Sequence, residues 1–363
     1  RRWAGAAAMP CTPSPSATLA SIAVFYVARD RNLELEGKFR AHGACGPIHH
    51  VPAVMADAAF PAGTESPFRF SARRPSLRGS VDGRAFEVLR FPAPPHSKTT
   101  CPMPTLAEVG ILLSHLRALA TAVGRMRAQG PFPFLVVEED VDLRLVRWWA
   151  DPGSLPEPQR MGSVPGQAPS AEPMLDRAWR ALPPGWGLLQ AALITSSRNF
   201  KVLRRRLAGG ELVVPHGDIV DGSGRNEGWS TAAYFASAAG AKALVDRYWP
   251  GGAAAAEATA PAPAPVAGRF DLRSKACLRA DWLLYDGDAT LTWVTAQPLF
   301  LYGAGTRSKG QLKQHSGVQI ASVRHVLMLF YGRTAAQARA AVLQNGPEVG
   351  RALAGGEEGG GRR

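Results

Sequence analysis

The chain has 363 residues, 46% of them hydrophobic, which is enough for a sizeable core in one large or two medium domains. Its 42 Lys and Arg residues outnumber 29 Asp and Glu residues, and the net charge of +13 favours anionic partners, although a GC-rich coding bias, which makes Arg, Ala, Gly and Pro abundant, explains the charge equally well. No apolar run approaches the roughly 18 residues of a membrane span, no nucleic-acid-binding motif accompanies the basic residues, and no C-x-x-C pair suggests a zinc site.

The N-terminal part of the sequence predicts alternating strands and helices. Residues 1–18 are rich in Ala, Pro and Ser and are predicted to be disordered. Residues 57–104 read as a Pro- and Arg-rich insertion with at most a hairpin at Asp82-Gly83. The predicted elements between them are a buried strand at 21–27, a short helix at 31–42 and a strand at 48–54.

The clearest helix follows this insertion. Thr105 and Glu108 have the spacing of a capping box, in which each side chain accepts from the other residue's free backbone N–H. A stripe of apolar residues at helical spacing continues to Met126, and Gly130-Pro131 ends the pattern. A helix that leads into the short apolar run 134–137 is typical of α/β architecture.

The remaining elements complete a single α/β domain. It is predicted to cover residues 19–330, and a C-terminal helix and a disordered tail are predicted for 331–363. Ser237 is predicted to cap a helix that runs to about Tyr248. Further strands or apolar segments are predicted at 186–194, 229–236, 281–284 and 291–295, the last helix at 335–343, and long Pro-, Ala- and Gly-rich insertions at 57–104, 151–173 and 250–268.

The strand at 134–137 ends in a cluster of carboxylates, Glu138, Glu139, Asp140 and Asp142. Ligands of open α/β sheets bind outside the carboxyl ends of the strands, and carboxylate oxygens are preferred ligands of hard divalent cations. Residues i and i+2 of an extended strand point the same way. We therefore expect Asp140 to bind a metal directly beside Glu138 or Glu139. The alternative is that these acids form a solvated strand exit or cap the next turn.

Short motifs occur in a fixed order over roughly residues 20–310. They are an apolar strand with Arg31 and Pro52-Ala53-Val54; the helix motif Gly110 to Ser114-His115 before Val136-Val137-Glu138-Glu139-Asp140; Trp186 to Gln190; Thr231, Tyr234, Ser237, Gly240, Ala241 and Leu244; Asp281-Trp282; and Pro298 with Ser308. This ordered set resembles glycosyltransferase family 25, which includes bacterial lipooligosaccharide galactosyltransferases and procollagen galactosyltransferases. Three features depart from that pattern. Glu139 and Gly187 stand where the family has Asp, and the first strand lacks the family's usual Asn-Leu.

The resemblance implies a GT-A fold, in which a Rossmann-type nucleotide-binding sheet is flanked by helices. It also implies that an acidic motif holds Mn²⁺, or another divalent cation, against the diphosphate of a UDP-sugar donor. For the metal, the resemblance implies Glu138, Glu139 and Asp140, with His315 as a less favoured addition. For the nucleotide sugar it implies Ser114, Thr231 and Tyr234. Asp281, beside Trp282, is implied as the general base.

Structural alternatives stay open for several of these residues. Ser114 could instead bond back to its own helix. Thr231 and Tyr234 could pack within a strand, and Asp281 could cap a helix. For His115 we favour a supporting role, in which its imidazole braces the acidic strand end, over direct catalysis.

The resulting expectation is a metal-dependent inverting transferase that moves a hexose, galactose first, from a UDP-sugar to a hydroxyl of a glycan or glycoprotein. The main alternative is a catalytically degenerate member of the family that binds glycans or a partner, and a basic nucleic-acid-binding protein is the third class considered. Eukaryotic relatives work in the secretory pathway, in the ER or Golgi. Because the sequence begins at Arg1 without Met, any targeting signal is expected to lie upstream.

Overall fold

The protein has an α/β fold in which helices cover both faces of a central seven-stranded mixed sheet. The fold is described from a computed structural model. The described residues are 16–69, 73, 76–89, 105–129, 133–150, 172–220, 228–249, 268–270, 280–285, 291–302 and 316–343.

The described elements, in chain order within each class, are as follows. The strands are β1 (Ala23–Ala28), β2 (Ile48–Pro52), β3 (Ser76–Val81), β4 (Arg84–Leu89), β5 (Phe134–Glu138), β6 (Val141–Asp142), β7 (Trp186–Gln190), β8 (Val213–Pro215), β9 (Ala233–Ala236), β10 (Gly268–Phe270), β11 (Leu291–Thr295) and β12 (Leu301–Tyr302). The helices are α1 (Ala17–Ser21), α2 (Leu33–Ala41), α3 (Ala56–Ala59), α4 (Leu106–Gln129), α5 (Val146–Ala150), α6 (Met174–Ala181), α7 (Ser197–Ala208), α8 (Ala238–Tyr248), α9 (Ala280–Tyr285), α10 (Ser316–Phe330) and α11 (Ala335–Leu343).

The order of the strands creates a crevice at one edge of the central sheet. The order is β2-β1-β5-β9-β7-β11-β8. Strands β2 and β5 both pair in parallel with β1, on opposite sides of it. The chain thus leaves β1 toward one side and returns on the other, which makes the carboxyl ends of β1 and β5 a topological switch point. Strand β9 is antiparallel to both of its neighbours, β5 and β7.

Two hydrophobic clusters cover the two faces of the sheet. Alternation along β1 sends Val24 and Tyr26 to one cluster and Phe25 and Val27 to the other. The first cluster includes residues of α2, α7, α10 and α11, and the second includes residues of α4, α8 and α9. Side chains of β5 on the α4 face are therefore those at even positions, including Val136.

Helix α4 is the core helix of its face and positions the site described below. The predicted capping box is confirmed, since Thr105 N donates to Glu108 Oε2 at 2.9 Å and Glu108 N donates to Thr105 Oγ1 at 3.1 Å. Among the described residues this helix alone is long and apolar enough to span a membrane, but 67% of that stretch is buried inside the protein. A Cβ at Gly110 would lie 2.7 Å from the Val54 carbonyl oxygen, so glycine permits close contact with the chain after β2.

Two domain boundaries predicted from the sequence need correction. The prediction that residues 1–18 are disordered is wrong for residues 16–18, because Ser16 caps α1 and donates to Asp176 Oδ1 at 3.1 Å. The C-terminal helix at 335–343 is confirmed, and Ala338 and Val342 bury it in the first cluster, so it belongs to the same core as the rest of the domain. The predicted tail after it lies outside the described residues.

Several predicted boundaries shift at the ends of elements. The strand predicted at 186–194 ends at Gln190, and the strand predicted at 229–236 begins at Ala233. The segment at 281–284 is helical within α9. The hairpin at Asp82-Gly83 is confirmed, with φ of 51° and 71° at its two turn residues.

Candidate functional site

The acidic segment lies at the switch point between β1 and β5. Strand β5 ends at Glu138, and Glu139 and Asp140 form a turn before β6. Backbone bonds fix this turn, since Glu138 N donates to Ala232 O and Glu139 N donates to Val27 O, both at 3.0 Å. The expectation that Glu138 and Asp140 share an extended strand is therefore wrong, and the i, i+2 rule does not apply to them.

Glu138 is the anchored member of the acidic segment. Its Oε1 accepts hydrogen bonds from His115 Nε2 at 3.1 Å and from Thr231 Oγ1, and no described residue donates to its Oε2. Burial raises the pKa of this carboxyl, but the hydrogen bond and charge of His115, with the bond from Thr231, outweigh burial and hold the pKa below its usual value. The carboxylate is thus kept ionised and fixed, with 23% of its side chain exposed.

His115 connects this carboxylate to a buried tyrosine. The imidazole is 1% exposed, and its Nδ1 lies 3.3 Å from the Tyr234 hydroxyl. Burial, reinforced by the charge of Glu138, raises the pKa of Tyr234 well above its usual value, so the phenol stays protonated and can donate. His115 Nε2 thus donates to the Glu138 carboxylate, while Nδ1 faces the Tyr234 hydroxyl. The predicted bracing role of His115 is confirmed.

Glu139 and Asp140 sit in an electronegative environment. Burial and then the charges of Asp30 and Glu138 raise the pKa of the Glu139 carboxyl, and His50 opposes them. Burial raises the pKa of Tyr302, and the charges of Asp140 and Glu138 and a hydrogen bond to Asp140 add to this. These carboxylates therefore repel one another at one edge of the sheet, and a bound cation would relieve that repulsion.

The metal-binding arrangement itself is not preassembled in the described part of the chain. No group of three or more His, Cys, Asp or Glu side chains among those residues is placed to hold a metal ion. The donor set still fits a hard cation chemically, because it consists of carboxylates. Metal binding by Glu138, Glu139 and Asp140 stays a prediction, and His315 lies outside the described residues.

The three residues implied for nucleotide-sugar binding are all buried. Ser114 Oγ donates to Gly110 O at 2.7 Å and accepts from Val54 N at 2.8 Å, so the alternative in which it bonds back to its own helix is confirmed. Thr231 holds Glu138, and Tyr234 is fully buried within β9. Each side chain thus has partners inside the protein, and its direct contact with a nucleotide stays a prediction.

Asp281 lies on the same face of the sheet as Glu138. It occupies the first turn of α9, whose Tyr285 donates to Ser230 O at 2.9 Å and packs its ring 6.1 Å from that of Tyr234. Burial raises the pKa of Tyr285, with contributions from Tyr234, Asp281 and Glu138. The charges of Asp281 and Glu138 therefore both act on the hydroxyl group of Tyr285. Trp282 has no described side chain.

Two arginines flank the exit of β1 and differ in their partners. Arg31 forms a paired hydrogen bond with Glu36, through its Nε at 2.8 Å and its Nη2 at 2.9 Å, while Tyr26 donates to the same carboxylate at 2.7 Å. Arg31 is thereby committed to the β1–α2 connection. Arg29 is exposed and has no hydrogen bond or ion pair with any described residue. It supplies a cation at the rim of the crevice.

Gly187, one of the departures from the family pattern, lies at the end of the sheet opposite to the acidic turn. The pairing of Leu188 with Ala236 and of Ala236 with Phe134 puts Gly187 level with the start of β5. At about 3.3 Å per residue, it is roughly 15 Å below the level of Glu138. A Cβ at Gly240 would lie 2.4–2.6 Å from the backbone of Gly187, so this position serves the contact between α8 and β7.

Sequence reasoning missed several residues near the site. Asp30 could have been found, because it follows β1 directly at the same edge as the acidic turn. For Tyr302 and His216, no pattern in the sequence indicated a position near the acidic turn. His216 reaches the site region only through the fold, where its ring packs 5.0 Å from that of Tyr285 and burial lowers its pKa to about 4.

Comparisons of the chain with family models, with curated proteins and with solved structures found no match.

Proposed function

We propose that this protein is a metal-dependent inverting glycosyltransferase with a GT-A-like sheet, which moves a hexose, galactose first, from a UDP-sugar to a hydroxyl of a glycan or glycoprotein. One observation carries the proposal. The acidic turn that follows β5 sits at the topological switch point, where α/β sheets bind nucleotides, and its Glu138 is held ionised by His115 and Thr231.

The carboxylates at this edge fit a divalent cation such as Mn²⁺. Asp140 is the proposed direct ligand, with Glu139 beside it, while Glu138 is fixed through Oε1 and has Oε2 available. When bound, the cation would act as a Lewis acid that neutralises the charge developing on the leaving diphosphate. Like-charge repulsion among Asp30, Glu138 and Glu139 supports this assignment.

The remaining residues are assigned by chemistry. Arg29, at the rim of the crevice and without a partner among the described residues, would bind donor phosphate oxygens through its guanidinium. His115 and Thr231 would orient Glu138. Asp281 would accept the proton of the acceptor hydroxyl as that oxygen attacks the anomeric carbon.

The disulfide bond of Cys45 supports the proposed location. Disulfides persist in oxidising compartments and are rare in the cytosol. An oxidising compartment, which is the secretory pathway if the protein is eukaryotic, is therefore the location proposed for this transferase.

A catalytically degenerate homologue is the second candidate. Glu139 at a position where the family has Asp favours it, because the longer side chain lies within the proposed metal site. Gly187 does not favour this candidate, since it lies at the end of the sheet opposite to the proposed metal site. A degenerate protein would bind glycans or a partner without consuming a UDP-sugar.

Calorimetric titration of UDP with and without Mn²⁺ tests the proposal, followed by UDP release from a panel of UDP-sugars. Asp140→Asn is expected to abolish Mn²⁺-dependent UDP binding, whereas the same change at exposed Asp57 should leave it unchanged. Asp281→Asn should keep UDP binding and reduce sugar transfer by about 100-fold or more, the contribution of a general base. Full transfer by Asp140→Asn would refute the metal assignment, and UDP binding without release from any donor would favour the degenerate alternative.

A further inference from the structure

The solvent face of α7 carries a row of positive charge. Arg198, Lys201, Arg204 and Arg205 are exposed, while Phe200 and other apolar residues of the helix are buried in the first cluster. At about 100° per residue, the four cations fall within roughly 120° of the helix surface and span about 10 Å along its axis. They form a narrow cationic strip, called here the α7 strip.

None of the four strip side chains has a hydrogen bond or ion pair with a described residue. Other helices of the protein pair their surface cations, for example Lys38 with Glu34 at 2.7 Å and Lys242 with Asp246 at 2.5 Å. The next residue, Arg206, already binds Glu211 at 3.2 Å and Asp218 at 2.9 Å. No acidic side chain in the described part of the chain pairs with the α7 strip, which leaves its charge for an external partner.

Helix stability does not account for the whole strip. Arg204 and Arg205 lie near the C-terminus of α7, where cations are favourable to the helix dipole. Arg198 lies in the first turn, near the positive end of the dipole, where a cation is unfavourable. Helix α7 contains no acidic residue that would offset it.

The chemistry of the strip selects among polyanions. Helix α7 exposes no large hydrophobic side chain, and the adjacent α10 exposes only Met328 among its described residues. An amphipathic membrane contact needs an apolar face, single-stranded nucleic acid is bound by stacking on aromatic rings, and a protein partner needs buried apolar anchors. Duplex nucleic acid and sulfated polysaccharides need none of these, since guanidinium groups bind the oxyanions of either directly, and the narrow width of the strip favours the single chain of the polysaccharide.

We propose that the α7 strip is a binding site for a linear sulfated polysaccharide. The site is independent of the sugar-transfer chemistry assigned to the acidic turn. Its narrow width fits one extended anionic chain. Helix α7 begins after β7, which runs in the same direction as β5, so the strip starts at the sheet edge that carries the acidic turn.

Binding of a size-defined heparin oligosaccharide to the full chain at several salt concentrations tests the proposal. With the coefficient of about 0.7 per contact known for single-stranded polyanions, four contacts predict an affinity loss of about 50-fold between 50 and 200 mM salt. The variant Arg198→Gln/Lys201→Gln/Arg205→Gln should bind weakly and lose only about threefold over the same range. Thermal unfolding confirms that the variant is folded.

The matched control removes the same charge elsewhere, in Lys38→Gln/Arg78→Gln/Lys242→Gln, and should bind heparin like the unchanged protein. Equal losses in both triple variants would show that net charge alone drives binding and would overturn the proposal. Tighter binding of a single-stranded DNA of equal charge, or of vesicles that contain phosphatidylserine, would assign the strip to nucleic acid or membrane and would equally overturn it.

Discussion

Replacing Thr231 by Val removes one of the two donors that hold Glu138 and keeps the shape of the side chain. The lost bond is charge-assisted, and such bonds contribute about 1.5–3 kcal/mol. Because Glu138 keeps 23% of its side-chain exposure, water can replace part of the bond. We therefore expect the free energy of unfolding at pH 7 to fall by about 2 kcal/mol.

The loss should depend on pH in a defined direction. The folded-state pKa of Glu138 is below the ordinary value of 4.5, so its ionised form stabilises the fold above that pH, and the contribution disappears as pH falls through the folded pKa. Urea unfolding of Thr231→Val followed by tryptophan fluorescence at pH 7 and pH 3 measures both values. The deficit of the variant should shrink at pH 3.

Thr295→Val is the matched control. Its buried hydroxyl donates to the neutral Gln190 carbonyl at 3.4 Å, so the change should cost about 0.5 kcal/mol at either pH. If Thr231→Val destabilises the protein no more than this control does, or equally at both pH values, the account of an ionised Glu138 fixed by its two donors is wrong.

His115→Gln should weaken Mn²⁺-dependent UDP binding by about 10–100-fold, the usual effect of removing a residue that orients a ligand carboxylate, here Glu138. Calorimetry at pH 7 measures this affinity, and an unchanged value would show that the hydrogen bond from His115 to Glu138 does not contribute to UDP binding. Gly240→Ala should destabilise the protein by about 1–3 kcal/mol, because the new Cβ would meet the backbone of Gly187 at 2.4–2.6 Å. Gly217→Ala, which meets no atom within 4 Å, is its control in the same urea titration and should stay near the unchanged midpoint.

Local signals in the sequence were sufficient to predict the elements whose ends are set by capping or turn residues. The capping box at Thr105, the Asp82-Gly83 turn and the Ser237 cap each fixed an element that the structure confirms. The brace from His115 to Glu138 also followed from the sequence, because a helix that leads into a parallel strand places its first turns near that strand's carboxyl end.

Features that depend on distant contacts could not be predicted in this way. Ser16 joins the fold because its side chain and that of Asp176, 160 residues away, bond to each other, which composition cannot reveal. Tyr234 was a candidate for the sugar pocket, yet β9 inserts between β5 and β7 and buries it completely. The turn at Glu139–Asp140 is fixed by backbone bonds to other strands, whereas the local pattern favoured continued strand.

The central place of β9 has a consequence for synthesis of the chain. Strand β5 is complete at Glu138 and β7 at Gln190, but the strand that joins them is made only at Ala233–Ala236. Until that segment leaves the ribosome, two apolar strands have unpaired edges facing each other, and such edges promote aggregation. A nascent chain therefore benefits from chaperones over this interval, and any truncation before Ala233 is expected to be insoluble on expression.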